Sequence, residues 1–148
     1  MEQRVRQLNH AAVRAKGLYV LYWCRSNRRA EANHALEFAA GLANRLARPL
    51  LYLESLTCDY PYASERLHAF ALQGMPETAA SLRRRGIGCV FHVPRRKLQR
   101  DGAIAAAIRD AAAVVTDECP LPAPEFDVAA YAVDASCVVG RRASPRCA

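Results

Sequence analysis

Leu18-Tyr-Val-Leu-Tyr-Trp-Cys-Arg-Ser-Asn-Arg-Arg-Ala-Glu-Ala-Asn-His-Ala-Leu36 decides the fold of this chain. Gly17 to Trp23 is continuously apolar and rich in Tyr and Val, the pattern of a strand buried on both faces. A polar turn follows. Arg29 to Ala47 then sets Ala32, Ala35, Leu36, Ala39, Leu42, Ala43 and Leu46 at helical spacing, so one stripe faces a core. A strand that enters a helix through a polar turn is how open α/β domains begin, and their ligands collect at the carboxyl ends of the strands. Here that end carries Trp23, Cys24, Arg25 and Asn27 in place of a glycine-rich phosphate loop.

Working outward, Pro49 ends the first helix and Leu50 to Leu53 predicts a second strand, followed by a turn-rich connection over Glu54 to Tyr62. Ser64 offers an N-cap to a helix running through Leu67, Phe70 and Ala71. Pro76 lacks an amide proton, so a kink or restart is expected there before the helix stops at Gly86. Ile87 to Val93 reads as a third strand and Lys97 to Ala112 as an alanine-rich helix. Ala113 to Thr116 and Val128 to Val133 read as the fourth and fifth strands. Strands alternating with helices predict a Rossmann-like, doubly wound, parallel five-stranded α/β sheet with helices on both faces. The link between Val115 and Val128 is too short for a normal helix, so an irregular loop or a poorly anchored last strand is expected.

A length of 148 residues with 52% apolar content fits one packed domain. Residues 1–16 read as a mobile basic arm, 17–139 as the α/β domain and 140–148 as a polar, basic tail. No stretch approaches the roughly 20 apolar residues of a membrane span, and no secretory signal precedes the first strand, so a cytoplasmic protein is expected. The net charge of +7 is uneven. Arg83 to Arg100 carries Arg83, Arg84, Arg85, Arg95, Arg96, Lys97 and Arg100 with no acid among them. Two readings of this block stand: phosphate contact with nucleic acid, or a solvated helix end whose arginines complement the dipole. The six cysteines lack C-x-x-C or zinc-finger spacing and read as reduced, small hydrophobes.

The seven glycines form neither G-x-G-x-x-G nor a Walker A loop, and no G-x-S-x-G elbow is present. The usual dinucleotide, nucleoside-triphosphate and acyl-hydrolase sites are therefore not expected. His34 and His68 fall on helices and read as helix residues more than as bases. Asp117 and Asp134 close strands, where an acid either meets a ligand or caps the next turn. Strand ends and the first helix start converge on Trp23, Cys24, Arg25, Asn33, Asp117 and Glu118, the candidate ligand contacts.

Three patches carry a resemblance. They are Tyr22-Trp23 with Arg28-Arg29 and Asn33-His34-Ala35-Leu36; Cys58-Asp59-Tyr60-Pro61-Tyr62-Ala63-Ser64 with Arg66-Leu67-His68, Phe70 and Gly74-Met75; and Val114-Val115-Thr116-Asp117 with Pro120, Val133-Asp134 and Val138-Val139. On these, Gly17 to Val139 resembles the N-terminal α/β domain of the photolyase/cryptochrome family, nearest the class II cyclobutane-pyrimidine-dimer DNA photolyases and their bacterial relatives. The middle patch is the most specific, because its mixture of polar, aromatic and turn residues has no simple compositional origin.

The resemblance implies light-driven repair. Excited, reduced FAD passes an electron to a pyrimidine dimer flipped out of DNA. In that family the flavin, the dimer pocket and most DNA contacts belong to a helical domain after the α/β domain, which in some members holds an antenna pigment. The sequence turns polar and basic after Val139, where that helical domain is expected, and Trp23 is its only tryptophan. The expectation is therefore an N-terminal fragment with no FAD of its own and no repair by itself. A deazaflavin-type antenna pigment is the cofactor open to it, and a separate or downstream FAD-binding domain its expected partner. DNA is reached only through the full-length context, and an exposed docking face leads to self-association. The competing reading is a free-standing small-ligand or nucleotide-binding α/β domain.

Overall fold

The structure is a computed structural model that describes residues 4–56, 63–94, 100–119 and 125–135. Among the described residues, six strands and three helices follow one another as β1 (Val5–Gln7), β2 (Tyr19–Cys24), α1 (His34–Leu46), β3 (Leu50–Ser55), α2 (Glu65–Arg84), β4 (Gly88–His92), α3 (Arg100–Arg109), β5 (Ala111–Asp117) and β6 (Ala130–Val133). The strands lie in the order β1-β6-β5-β2-β3-β4, all parallel except β1, which runs antiparallel to β6. The chain leaves β2 for β3 on one side and returns to β5 on the other. The crevice between the ends of β2 and β5 is therefore the topological switch point.

Alternation along the buried strands supplies two cores. On one face Val20, Tyr22, Cys24, Tyr52 and Val115 pack against Leu36, Ala39 and Ala43 of α1 and Leu82 of α2. On the other, Leu21, Leu53, Val114 and Ala130 pack against Ile104, Ala107 and Ile108 of α3. The doubly wound α/β class expected from the sequence is the one observed.

The sheet has one strand more than the sequence pattern predicts. From Arg4 onward the expected basic arm belongs to the sheet, because its polar side chains take up backbone groups of the α3–β5–β6 region. Asn9 Nδ2 donates to the carbonyls of Phe126 and Val128, each at 2.8 Å, and Asn9 Oδ1 accepts from the Ala130 amide. Arg14 donates to the carbonyls of Ile108, Arg109 and Ala111 and pairs with Asp127 at 3.0 Å. This closes the C-terminus of α3 with a cation, where carbonyls and the helix dipole favour one. Of the two expectations for β6, poor anchoring or an irregular loop before it, the first does not hold: β6 lies between β5 and β1, and residues 120–124 of the loop are outside the described residues.

Three element boundaries also moved. Ala111 and Ala112, read as the end of a helix from their alanines, instead open β5, because burial at the sheet centre overrides intrinsic propensity. Only small residues fit here: a Cβ on Gly17 would lie 2.2 Å from Ala112 Cα. The first helix begins at His34, five residues after the sequence estimate. The second runs unbroken through Pro76, which lies on its exposed side and so leaves the freed carbonyl access to water.

Candidate functional site

At the switch point the polar turn after β2 is organised by a single carboxylate. Asp117 Oδ2 accepts from the backbone N–H groups of Arg25, Ser26 and Asn27 at 2.9, 2.8 and 3.0 Å. Its other oxygen accepts from the Tyr22 hydroxyl at 2.5 Å. Three consecutive amides converging on one point form the concavity that elsewhere receives a phosphate. Here the protein's own acid fills it. Of the two readings of Asp117, capping is the one the geometry realises.

Asn33 extends the same network. Its Oδ1 accepts from the Leu36 amide and caps α1, while Nδ2 donates to the Tyr22 hydroxyl (3.0 Å) and to the carbonyls of Asn27 and Arg29. Burial, the neighbouring Cys24 and Asp117 raise the Tyr22 hydroxyl far above its ordinary range, so it serves as a donor. Burial also pushes the Cys24 thiol up, with Asp117 adding to the effect; this buried cysteine is not a nucleophile.

The other expected contacts lie elsewhere. Trp23 faces the α3 side, edge-on to Phe126, with the Arg25 guanidinium 5.3 Å from its ring centre. Glu118 pairs with Arg6 at 3.3 Å beside the β1–β6 edge. The candidates thus divide between the two faces of the sheet, with Cys24 on the α1 side and Trp23 on the α3 side. The patch Cys58–Tyr62, the Pro120–Pro124 segment, the Arg95–Lys97 part of the basic block and the tail from 136 lie outside the described residues.

The turn held by Asp117 and Asn33 forms one wall of a cleft of about 560 Å³. Arg28, Arg29 and Glu31 come from that turn, Glu54 from the end of β3, and Phe70, Gly74 and Met75 from α2. None of the six candidates lines it. Glu54 is the unusual member, being 2% exposed. Its Oε2 accepts from the Tyr52 hydroxyl at 2.9 Å, and Oε1 lies 3.2 Å from Arg28 Nε. That pair is an ion contact without hydrogen-bond alignment, which leaves Oε1 with no donor among the described residues. Burial raises the Glu54 carboxyl above the usual range, and Tyr52 and Arg28 partly offset it. Across the cleft the Phe70 ring is 78% exposed. Glu54 was legible as a strand-ending acid of the same kind as Asp117; reading the strand to end at Leu53 placed it in the turn instead.

The architecture is that of a Rossmann-type α/β domain. It superposes on the universal stress protein from Archaeoglobus fulgidus with a TM-score of 0.50 at 17% identity, over 79% of this chain and 98% of that one. No protein-family model matches the sequence. The chain is, however, 37% identical over 118 residues to the deoxyribodipyrimidine photo-lyase of Methanothermobacter thermautotrophicus. Over that stretch it is a photolyase homologue, in agreement with the family resemblance of its sequence. The match takes in 78% of this chain and 25% of the relative, so the chain spans about a quarter of that protein's length. No helix among the described residues is long and apolar enough to cross a membrane.

Proposed function

We propose that this chain is the α/β domain of a light-driven DNA-repair photolyase, supporting the flavin-bearing part and seating an accessory pigment, with no repair activity of its own. The observation that carries this is the 37% identity to a photolyase over most of the chain. The internal chemistry agrees with it. Asp117 takes the three turn amides that a dinucleotide phosphate would need, so a flavin nucleotide has no phosphate cradle at this switch point. The same observation weighs against the nucleotide-binding alternative.

The pigment seat we assign is the Glu54 cleft. Its volume falls within the roughly 300–1,000 Å³ of small-molecule sites, and a buried carboxylate oxygen that receives no aligned hydrogen bond among the described residues, together with an exposed ring, suits a planar, deazaflavin-type molecule. Such a group, when bound, supplies light absorption; the protein supplies position and polarity. Asn33 and Asp117 act as positioning residues for the wall that carries Arg28 and Arg29. Trp23, Cys24, Arg25 and Glu118 shape the turn and its flanks. Leu67 and Leu72, exposed on two flanks of α2, are the apolar contacts proposed for the FAD-binding helical part or, in its absence, for a second copy. DNA is contacted only in that larger context, in the cytoplasm.

The test is direct. The purified chain is expected to show no flavin absorption near ~450 nm and no splitting of pyrimidine dimers under light. Stoichiometric FAD on the purified chain, or dimer repair by the chain alone, overturns the reading.

A further inference from the structure

The cleft also carries information about which ring it selects. We propose that Glu54 is its specificity-determining residue: Oε1 accepts a hydrogen bond from a ring N–H of a planar heterocycle whose face rests on Phe70. The inference rests on the pigment-seat reading and gives that seat a recognition chemistry.

Five observations support it. Glu54 sits near the end of β3, in register with Cys24 of β2 on one side and Phe91 of β4 on the other, so its backbone is held by two neighbouring strands. Tyr52 holds Oε2 at 2.9 Å and thereby orients the carboxylate plane. The remaining oxygen is buried and, although paired in charge with Arg28, receives no aligned hydrogen bond among the described residues, so it keeps acceptor capacity. Arg28, whose side chain is 39% exposed, already balances the charge at 3.2 Å, so the incoming donor need not be a cation. A neutral N–H suffices. Phe70 presents an open aromatic face on the opposite wall, and Gly74, one turn further along α2, has open space above it. Rings stack on such a face without regard to sequence of substituents, so Phe70 supplies affinity and Glu54 supplies selection.

A ring N–H of this kind occurs in isoalloxazines and deazaflavins and also in guanine. The experiment therefore uses two matched pairs against the full chain, read by fluorescence or by competition. Lumiflavin, whose single N–H is the N3 imide, is compared with N3-methyl-lumiflavin, and guanosine with N1-methylguanosine. The N–H form of a pair is expected to bind about tenfold or more tightly than its methylated partner. Glu54→Gln, checked for folding by its melting curve, places an amide where the carboxylate accepts and is expected to bring the two forms within about twofold. Phe70→Ala is expected to weaken both forms alike.

A preference in the lumiflavin pair that Glu54→Gln removes supports both the inference and the pigment seat. Equal binding of lumiflavin and its methyl derivative, or a preference that survives Glu54→Gln, overturns the role of Glu54 and leaves the seat standing. A Glu54-dependent preference for guanosine with no isoalloxazine binding keeps the recognition chemistry and overturns the pigment reading. Binding of neither pair sinks both.

Discussion

Replacing Asp117 with Asn tests whether one carboxylate holds the switch-point turn. The substitution conserves shape and removes charge. Three amides at 2.8–3.0 Å now point at a carboxylate oxygen. Charge-assisted bonds contribute about 1 kcal/mol more than neutral ones, so neutralising their shared acceptor costs about 3 kcal/mol over three bonds. If the Asn oxygen keeps the amides, its NH₂ faces the Tyr22 hydroxyl, which already accepts from Asn33 and keeps only the long 3.4 Å bond to Asn33 Oδ1 for its own proton. For a chain of this size, 3 kcal/mol corresponds to roughly 10 °C in Tm and, in urea, to a midpoint lower by about 1.5 M. Hydrogen exchange locates the damage, with amides of Arg25, Ser26 and Asn27 expected to lose protection before the sheet does. A companion variant, Asp117→Ala, empties the anion position, and sulfate is expected to raise its Tm more than that of the native chain. An unchanged midpoint with unchanged exchange at 25–27 would refute the claim that Asp117 organises this turn.

Gly17→Ala sets a methyl 2.2 Å from Ala112 Cα, so a backbone shift is forced and a loss of at least about 1–3 kcal/mol is expected in chemical denaturation. Arg14→Ala frees two carbonyls at the end of α3 and one at the start of β5 and is expected to cost about 1–3 kcal/mol, with early exchange in α3 and β6; a neutral result contradicts the tethered N-terminal segment. Glu54→Gln carries a pH signature. The folded-state carboxyl is raised, so keeping it ionised is unfavourable above its folded pKa, and the penalty fades as pH falls through that value toward the unfolded one. The variant's stability relative to the native chain is therefore expected to increase from mildly acidic to neutral pH, measured by denaturation at several pH values, and a flat difference speaks against the assignment.

Strand-and-helix alternation was legible because a doubly wound sheet needs continuous apolar strands and one-sided helices, and Tyr19–Cys24 and His34–Leu46 have exactly those periodicities in their own residues. The photolyase kinship was legible too, since it rests on residue identities. The cleft was not. It joins the turn after β2, the end of β3 and the flank of α2, and nothing in the local pattern of Arg28, Glu54 or Phe70 announces that they meet. The N-terminal strand was likewise hidden: β1 is three residues long, and the segment is fastened by Asn9 and Arg14 to backbone groups about a hundred residues away.

Asp117 shows where the division falls. Its sequence position, an acid closing a buried strand, was enough to mark it as important and left two roles open. Choosing between them required the distance from its carboxylate to three amides on another segment, and only the β2–β5 pairing sets that distance. Local periodicity is written residue by residue, so the chain alone determines its elements and their layering. Hydrogen-bond partners and cavities arise from segments far apart in sequence, and those the tertiary structure decides.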